Sequence, residues 1–100
     1  MSTYKVRYTK SAKDDLKRLF SFLLDHDPQL AGRAREAIAK GMEFLRDFPF
    51  ACRKAAPDNP FLRELLISFG SSGYVVLFEI ADKETVTILA LRHQLEGDYH

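Results

Sequence analysis

The last third of the chain constrains the fold most, because Leu62–Phe69, Tyr74–Ala81 and Thr85–Leu91 each place an apolar residue at every second position. Leu65, Ile67 and Phe69, then Tyr74, Val76, Phe78 and Ile80, then Val86, Ile88 and Ala90 follow the two-residue period of a strand with one packed face. The separators, Gly70-Ser-Ser-Gly73 and Asp82-Lys-Glu84, are short and turn-forming, so the strands read as consecutive antiparallel hairpins. A sheet with one apolar face needs a cover, which the preceding residues must supply.

They read as helices. Ser11 with Asp14 marks a helix start, and Leu16, Leu19, Phe20, Leu23 and Leu24 then recur at three- and four-residue steps to about Asp25. Asp27-Pro28 opens a second helix, whose apolar line is Ala31, Ala34, Ile38, Met42 and Leu45; Pro49 stops it near Phe48. Small residues, Gly41 among them, allow that helix to pack closely. Ahead of both, Tyr4, Val6 and Tyr8 alternate with Lys5 and Arg7 as a short strand, and Pro49 to Pro60 reads as a connector. The expected fold is α+β: an antiparallel sheet with an N-terminal strand, a helical hairpin packed on one face and a three-stranded C-terminal meander, in the order β-α-α-β-β-β.

A chain of 100 residues fits one domain, residues 1–100. Its formal charge of +1 gives no bulk field for nonspecific nucleic-acid binding, although Lys5, Arg7, Lys10, Lys13, Lys17 and Arg18 crowd the first strand and helix. The single Cys52 excludes an internal disulfide, and the neighbouring Arg53 and Lys54 are placed to lower its pKa. The N-terminus lacks an apolar signal core and no stretch is long enough to cross a bilayer, which implies a cytoplasmic protein without membrane contact.

There is no Gly-rich phosphate loop, no nucleophile elbow and no set of histidines at metal-ligand spacing, so neither a cofactor nor a metal is expected. His26, His93 and His100 are scattered. The segment that invites a functional reading is Leu91-Arg-His-Gln-Leu-Glu-Gly-Asp-Tyr99, where an apolar strand ends abruptly in Arg92, His93, Gln94, Glu96 and Tyr99. Polar groups at a strand end often face a partner or substrate.

Three features together resemble the RelE/ParE toxin family over essentially the whole chain. They are the order of elements, the hairpin Phe69-Gly-Ser-Ser-Gly-Tyr-Val-Val-Leu-Phe-Glu-Ile and the ending Ile88-Leu-Ala-Leu-Arg-His-Gln-Leu-Glu. The resemblance implies the toxin of a type II toxin–antitoxin pair of the plasmid-stabilisation type. RelE-like members cut messenger RNA on the ribosome without a metal, activating a 2′-hydroxyl and stabilising phosphate charge. ParE-like members trap DNA gyrase and are not known as catalysts. After Ser-Gly-Tyr, where RelE-like nucleases place an arginine, this sequence has Val75, though Arg53, Lys54 and Arg63 could supply a charge from elsewhere. Near-neutral charge and the Arg-His-Gln-x-Glu ending also favour the ParE side.

The expectation is therefore a gyrase inhibitor whose target-binding patch is Arg92, His93, Gln94, Glu96 and Tyr99. The alternative is a ribosome-dependent nuclease using Arg92, His93 and Tyr99; a second alternative is an inactive module that only binds its antitoxin. In each case the resemblance implies a cognate antitoxin joined in a hetero-oligomer, docking on apolar helix residues beyond the needs of the core: Phe20, Leu23, Leu24, Phe44 and Phe48.

Overall fold

The computed structural model describes residues 3–70 and 72–94. A short strand, β1 (Lys5–Tyr8), leads into helix α1 (Lys10–His26) and helix α2 (Pro28–Asp47). A single 3₁₀ turn (Pro49–Ala51) follows, then β2 (Arg53–Ala56), β3 (Asn59–Phe69), β4 (Ser72–Ile80) and β5 (Thr85–His93).

Helix α1 begins two residues earlier than Ser11 would set it. Thr9 is the cap, its Oγ1 accepting the Ala12 amide at 3.1 Å. Asp27 does the same for α2, accepting from the Gln29 and Leu30 amides at 3.1 and 3.3 Å, with Pro28 at the first helical position. Gly41 faces the sheet so closely that a Cβ there would sit 2.6 Å from Ile67 Cδ1, which explains a glycine in mid-helix.

The sheet has the order β1-β5-β4-β3-β2. The pairs β2–β3, β3–β4 and β4–β5 are antiparallel, as the alternation predicts. β1 instead runs parallel to β5, so the sheet is mixed. The reason is β2, formed by residues that read as connector. A chain reversing direction at every connection makes its last strand antiparallel to the first when three strands follow the helices. One more strand inverts that parity.

The helical hairpin covers one face. Under it lie Leu19, Ala34, Ile38, Met42 and Leu45 from the helices against Ile67, Tyr74, Val76, Phe78, Ile80, Val86, Ile88 and Leu91 from the sheet. Phe78, Ile88, Val76 and Leu91 are fully buried at the centre. The replacement of the expected Ala90 by Leu91 in this cluster changes which side chains the site can use.

Candidate functional site

The change comes from a β-bulge. Leu77 pairs with Ala90, but the next residue, Phe78, pairs with Ile88, so the register skips Leu89. Before the bulge Val86 and Ile88 face the helices; after it Leu91 and His93 do, and Ala90 and Arg92 turn to the other side. A bulge takes backbone groups out of the ladder, and buried groups of that kind need partners. Here α1 and its cap provide them. Thr9 Oγ1 donates to the Leu89 carbonyl at 3.2 Å, and the Leu91 amide donates to Asp15 Oδ2 at 2.9 Å. Asp15 is only 2% exposed, and its other oxygen lies 3.7 Å from Arg18 Nη2. The start of α1 therefore fixes the phase of the strand end.

His93 lies on the helix side. Its cross-strand neighbour is Tyr74, whose ring meets the imidazole edge-on at 5.6 Å and stacks on Phe69 at 5.9 Å. Ser72 Oγ and His93 Nε2 are 2.9 Å apart and share a hydrogen bond. These groups form one wall of a cavity of about 580 Å³, closed on the other side by Arg18, Leu19, Phe22, Leu23 and Leu30. Burial raises the pKa of the Tyr74 phenol above its ordinary value.

Arg92 lies on the face that no described helix covers. Its cross-strand neighbour is Val75, 2% exposed, and beyond that stands Leu66, 46% exposed. Arg92 Nη1 makes a long 3.5 Å contact with the His93 carbonyl. Glu79, a candidate partner by charge, pairs with Thr87, four residues along β4 from Val75, or ~13 Å. Gln94 is exposed, and its amide donates to the Gly73 carbonyl at 2.9 Å, closing the end of the hairpin. Glu96 and Tyr99 fall outside the described residues.

Of the three other cations that sequence reading left available, Arg53 and Arg63 are already engaged. Arg53 pairs with Glu64 at 3.0 Å, and Arg63 donates to the carbonyls of Pro60, Cys52 and Phe50 at 2.6, 2.8 and 3.3 Å. Lys54 is exposed on the edge strand. Cys52 is buried rather than activated. Desolvation pushes its thiol up to about 11 while Arg63 opposes weakly, the reverse of the lowering that its basic sequence neighbours suggest.

The five apolar residues expected at a partner surface do not form one patch. Phe20 and Leu23 pack against the core while Leu24, Phe44 and Phe48 are exposed at 55, 41 and 52%. Leu24 lies near the turn of the helical hairpin. Phe44 and Phe48, with rings 5.6 Å apart, lie at the other end of α2, roughly 30 Å away by helical rise. Sequence reading missed Phe22, 62% exposed and stacked on His26 at 4.4 Å, because it stands one position off the apolar stripe. It also missed Phe50 and Phe61, half exposed and edge to face at 6.2 Å, which flank a strand taken for connector.

Among the described residues, no cluster of three or more His, Cys, Asp or Glu could hold a metal, and no helix is long and apolar enough to cross a membrane. Comparison with known proteins gives a consistent picture. The family profile of the ParE toxin of the type II toxin–antitoxin system parDE matches residues 6–97. Toxin RelE1 of Caulobacter vibrioides is 30% identical over 94 residues, covering 94% of this chain and 97% of that protein. Toxin RelE3 of the same organism is 34% identical over 85 residues, covering 85% and 88%. Among solved structures, the chromosomal ParDE system of P. aeruginosa superposes with a TM-score of 0.71 at 16% identity, covering 91% of this chain and 96% of that one. The toxin–antitoxin complex RelBE2 of Mycobacterium tuberculosis gives 0.59 at 24% identity, covering 96% and 97%.

Proposed function

Because the chain belongs to the ParE/RelE family of type II toxin–antitoxin toxins, we propose that it is a ParE-like inhibitor of DNA gyrase. It acts by binding and is silenced by a cognate antitoxin. The observation that carries this reading is the placement of Arg92 and His93 on opposite faces of the sheet. Cutting RNA requires a base, a cation and an acid converging within hydrogen-bond reach of one phosphate. Side chains leaving a strand in opposite directions end roughly 10 Å apart. Val75 and Leu66, in the same cross-strand row as Arg92, are aliphatic and supply no second cation.

On this reading Arg92 engages the target from the uncovered face, with Gln94 at the adjoining strand end. His93 belongs with Leu23 and Phe22 around the cavity under the hairpin. The solved neighbours described as a ParDE system and as a toxin–antitoxin complex support an antitoxin as partner. Leu24, Phe44 and Phe48 offer exposed apolar contacts for it, spaced for an extended segment rather than a single compact helix.

The second reading, a ribosome-dependent messenger RNA endonuclease, is favoured by the names of the curated relatives, both RelE toxins. Inducing the chain alone in a susceptible bacterium and following DNA breaks, supercoiling and transcripts over the first minutes separates the two. Double-strand breaks with intact transcripts are expected. Codon-position cuts in messenger RNA would overturn the gyrase reading, and normal growth would leave only an antitoxin-binding module.

A further inference from the structure

Tyr74 is 3% exposed, and its ring is fixed by Phe69, stacked at 5.9 Å, and by His93, edge-on at 5.6 Å. The side chain leaves β4 toward the helices, so its hydroxyl, at the far end of the ring, opens on the cavity of about 580 Å³ under the hairpin. No described residue hydrogen-bonds this hydroxyl, and burial alone raises its pKa. A phenol held this deep ordinarily has a hydrogen-bond partner. The nearby Ser72 Oγ and His93 Nε2 already share a hydrogen bond at 2.9 Å.

The rest of the cavity wall is largely apolar: Leu19 and Leu23 of α1, Leu30 of α2, and the rings of Phe22 and Phe69. Phe22 and Arg18, both solvent-exposed, mark the side that opens to water. The Arg18 charge is answered by Asp15, 3.7 Å away, and burying a further charge among these walls would be costly, so the cavity suits a neutral occupant. An apolar void of ~150 Å³ holds one benzene ring, so this one has room for two fused rings. Walls built from rings favour a flat occupant that stacks with an offset.

We propose that this cavity is a small-molecule site for a neutral, flat, two-ring heterocycle that carries one hydrogen-bond acceptor in or on its ring. The acceptor receives the Tyr74 hydroxyl proton in a hydrogen bond, and the fused rings lie against Phe69 and among the leucines of the hairpin. A mostly apolar wall with one placed polar group is the ordinary make-up of such a site: the wall supplies affinity and the single donor fixes orientation. A plain hydrocarbon of the same outline would leave the hydroxyl unserved. An anion would meet Arg18, whose charge Asp15 already answers. The site stands apart from Arg92, which leaves the sheet on the other face, so filling it does not touch the surface assigned above to the target.

The test titrates the full chain at neutral pH with quinoline and with naphthalene, which share a two-ring outline while quinoline alone carries an acceptor. Binding is read from the side-chain methyl resonances of Leu23 and Leu30. Both probes are expected to shift these methyls, and quinoline to bind at least ~5-fold more tightly, the worth of one hydrogen bond. In Tyr74→Phe that preference disappears, because quinoline weakens to the level of naphthalene. In Leu30→Phe, which fills the cavity, neither probe shifts the Leu23 methyls at concentrations that saturate the parent chain. Should Tyr74→Phe prove unfolded by its urea midpoint, the two probes on the parent chain and on Leu30→Phe decide the matter. Equal affinities of the two probes for the parent chain, a preference that survives Tyr74→Phe, shifts at methyls away from the cavity, or no binding by either probe would overturn the proposal.

Discussion

The two faces of the sheet are built from the same strands and serve different ends. The covered face is continuous: Tyr74, Val76, Phe78 and Ile80 from β4 meet Val86, Ile88 and Leu91 from β5 beneath the helices, and each is under about a tenth exposed. The other face mixes aliphatic and charged groups, with Leu66, Val75 and Arg92 in one row and the Arg53–Glu64 pair, Leu77 and Ala90 in the next. The first face is closed by the helical hairpin, and the second, where Val75 and Ala90 are nonetheless buried, is covered by no described helix. Stability therefore concentrates on one side and freedom to specialise on the other, although neighbouring residues alternate between them.

The heaviest blow to this contrast is Phe78→Ala. Removing a fully buried ring from the covered face should cost about 3–5 kcal/mol, much of a small domain's stability, read as a fall in the urea midpoint. A loss no larger than that of Leu66→Ala would erase the distinction. Next comes Asp15→Ala, which strips the Leu91 amide of its acceptor beneath α1 and should destabilise by about 1–3 kcal/mol. Exchange of the Leu91 amide should accelerate more than that of neighbouring strand amides. If it does not, the bulge is held by the ladder alone.

A milder effect belongs to the covered side at high pH. Burial raises the Cys52 thiol to about 11 from an ordinary value of 9.0, and raises Tyr74 and Tyr8 in the same direction. The folded chain thus keeps protons that the unfolded chain releases. Stability is full below the unfolded values and declines as pH rises toward the folded ones. Urea midpoints should fall between about pH 8 and about pH 11. Cys52→Ala should flatten that fall; an unaltered slope would assign it to the tyrosines.

A smaller change in stability than at Asp15 is expected at Arg92→Ala, read from the urea midpoint, together with loss of toxicity and antitoxin affinity nearly unchanged. Unfolding, or equal loss of both activities, would make Arg92 a structural residue and return the uncovered face to scaffold.

Much of this was legible in the sequence, and the exceptions have identifiable causes. The three C-terminal strands and both helices followed from the period of apolar residues. β2 did not, because Arg53-Lys-Ala-Ala shows no alternation on an exposed edge between prolines, and missing it inverted the direction of β1 relative to β5. The bulge was equally silent. Ile88, Leu89, Ala90 and Leu91 are all apolar, so an inserted residue leaves no mark in the pattern. That one step turned His93 toward the helices and Arg92 away from them, while the strand's own alternation keeps these neighbours, joined by sequence proximity in a single patch, on opposite faces. Phe44 and Phe48 are exposed because they fall outside the apolar line of α2, and Leu24, read as part of the α1 stripe, is exposed as well; Leu23 and Phe20 pack against the core.

The insertion of β5 between β1 and β4 also orders events during synthesis. The first strand cannot find its partner until residues some eighty positions later have left the ribosome, as the Lys5–Thr85 pairing requires. Pairing across such a separation is slow, and until it happens β4 and β1 both wait as unfilled borders. The nascent chain therefore emerges without an assembled core and without the Arg92 end of the sheet. The fold thus ties completion of the sheet to the last residues synthesised.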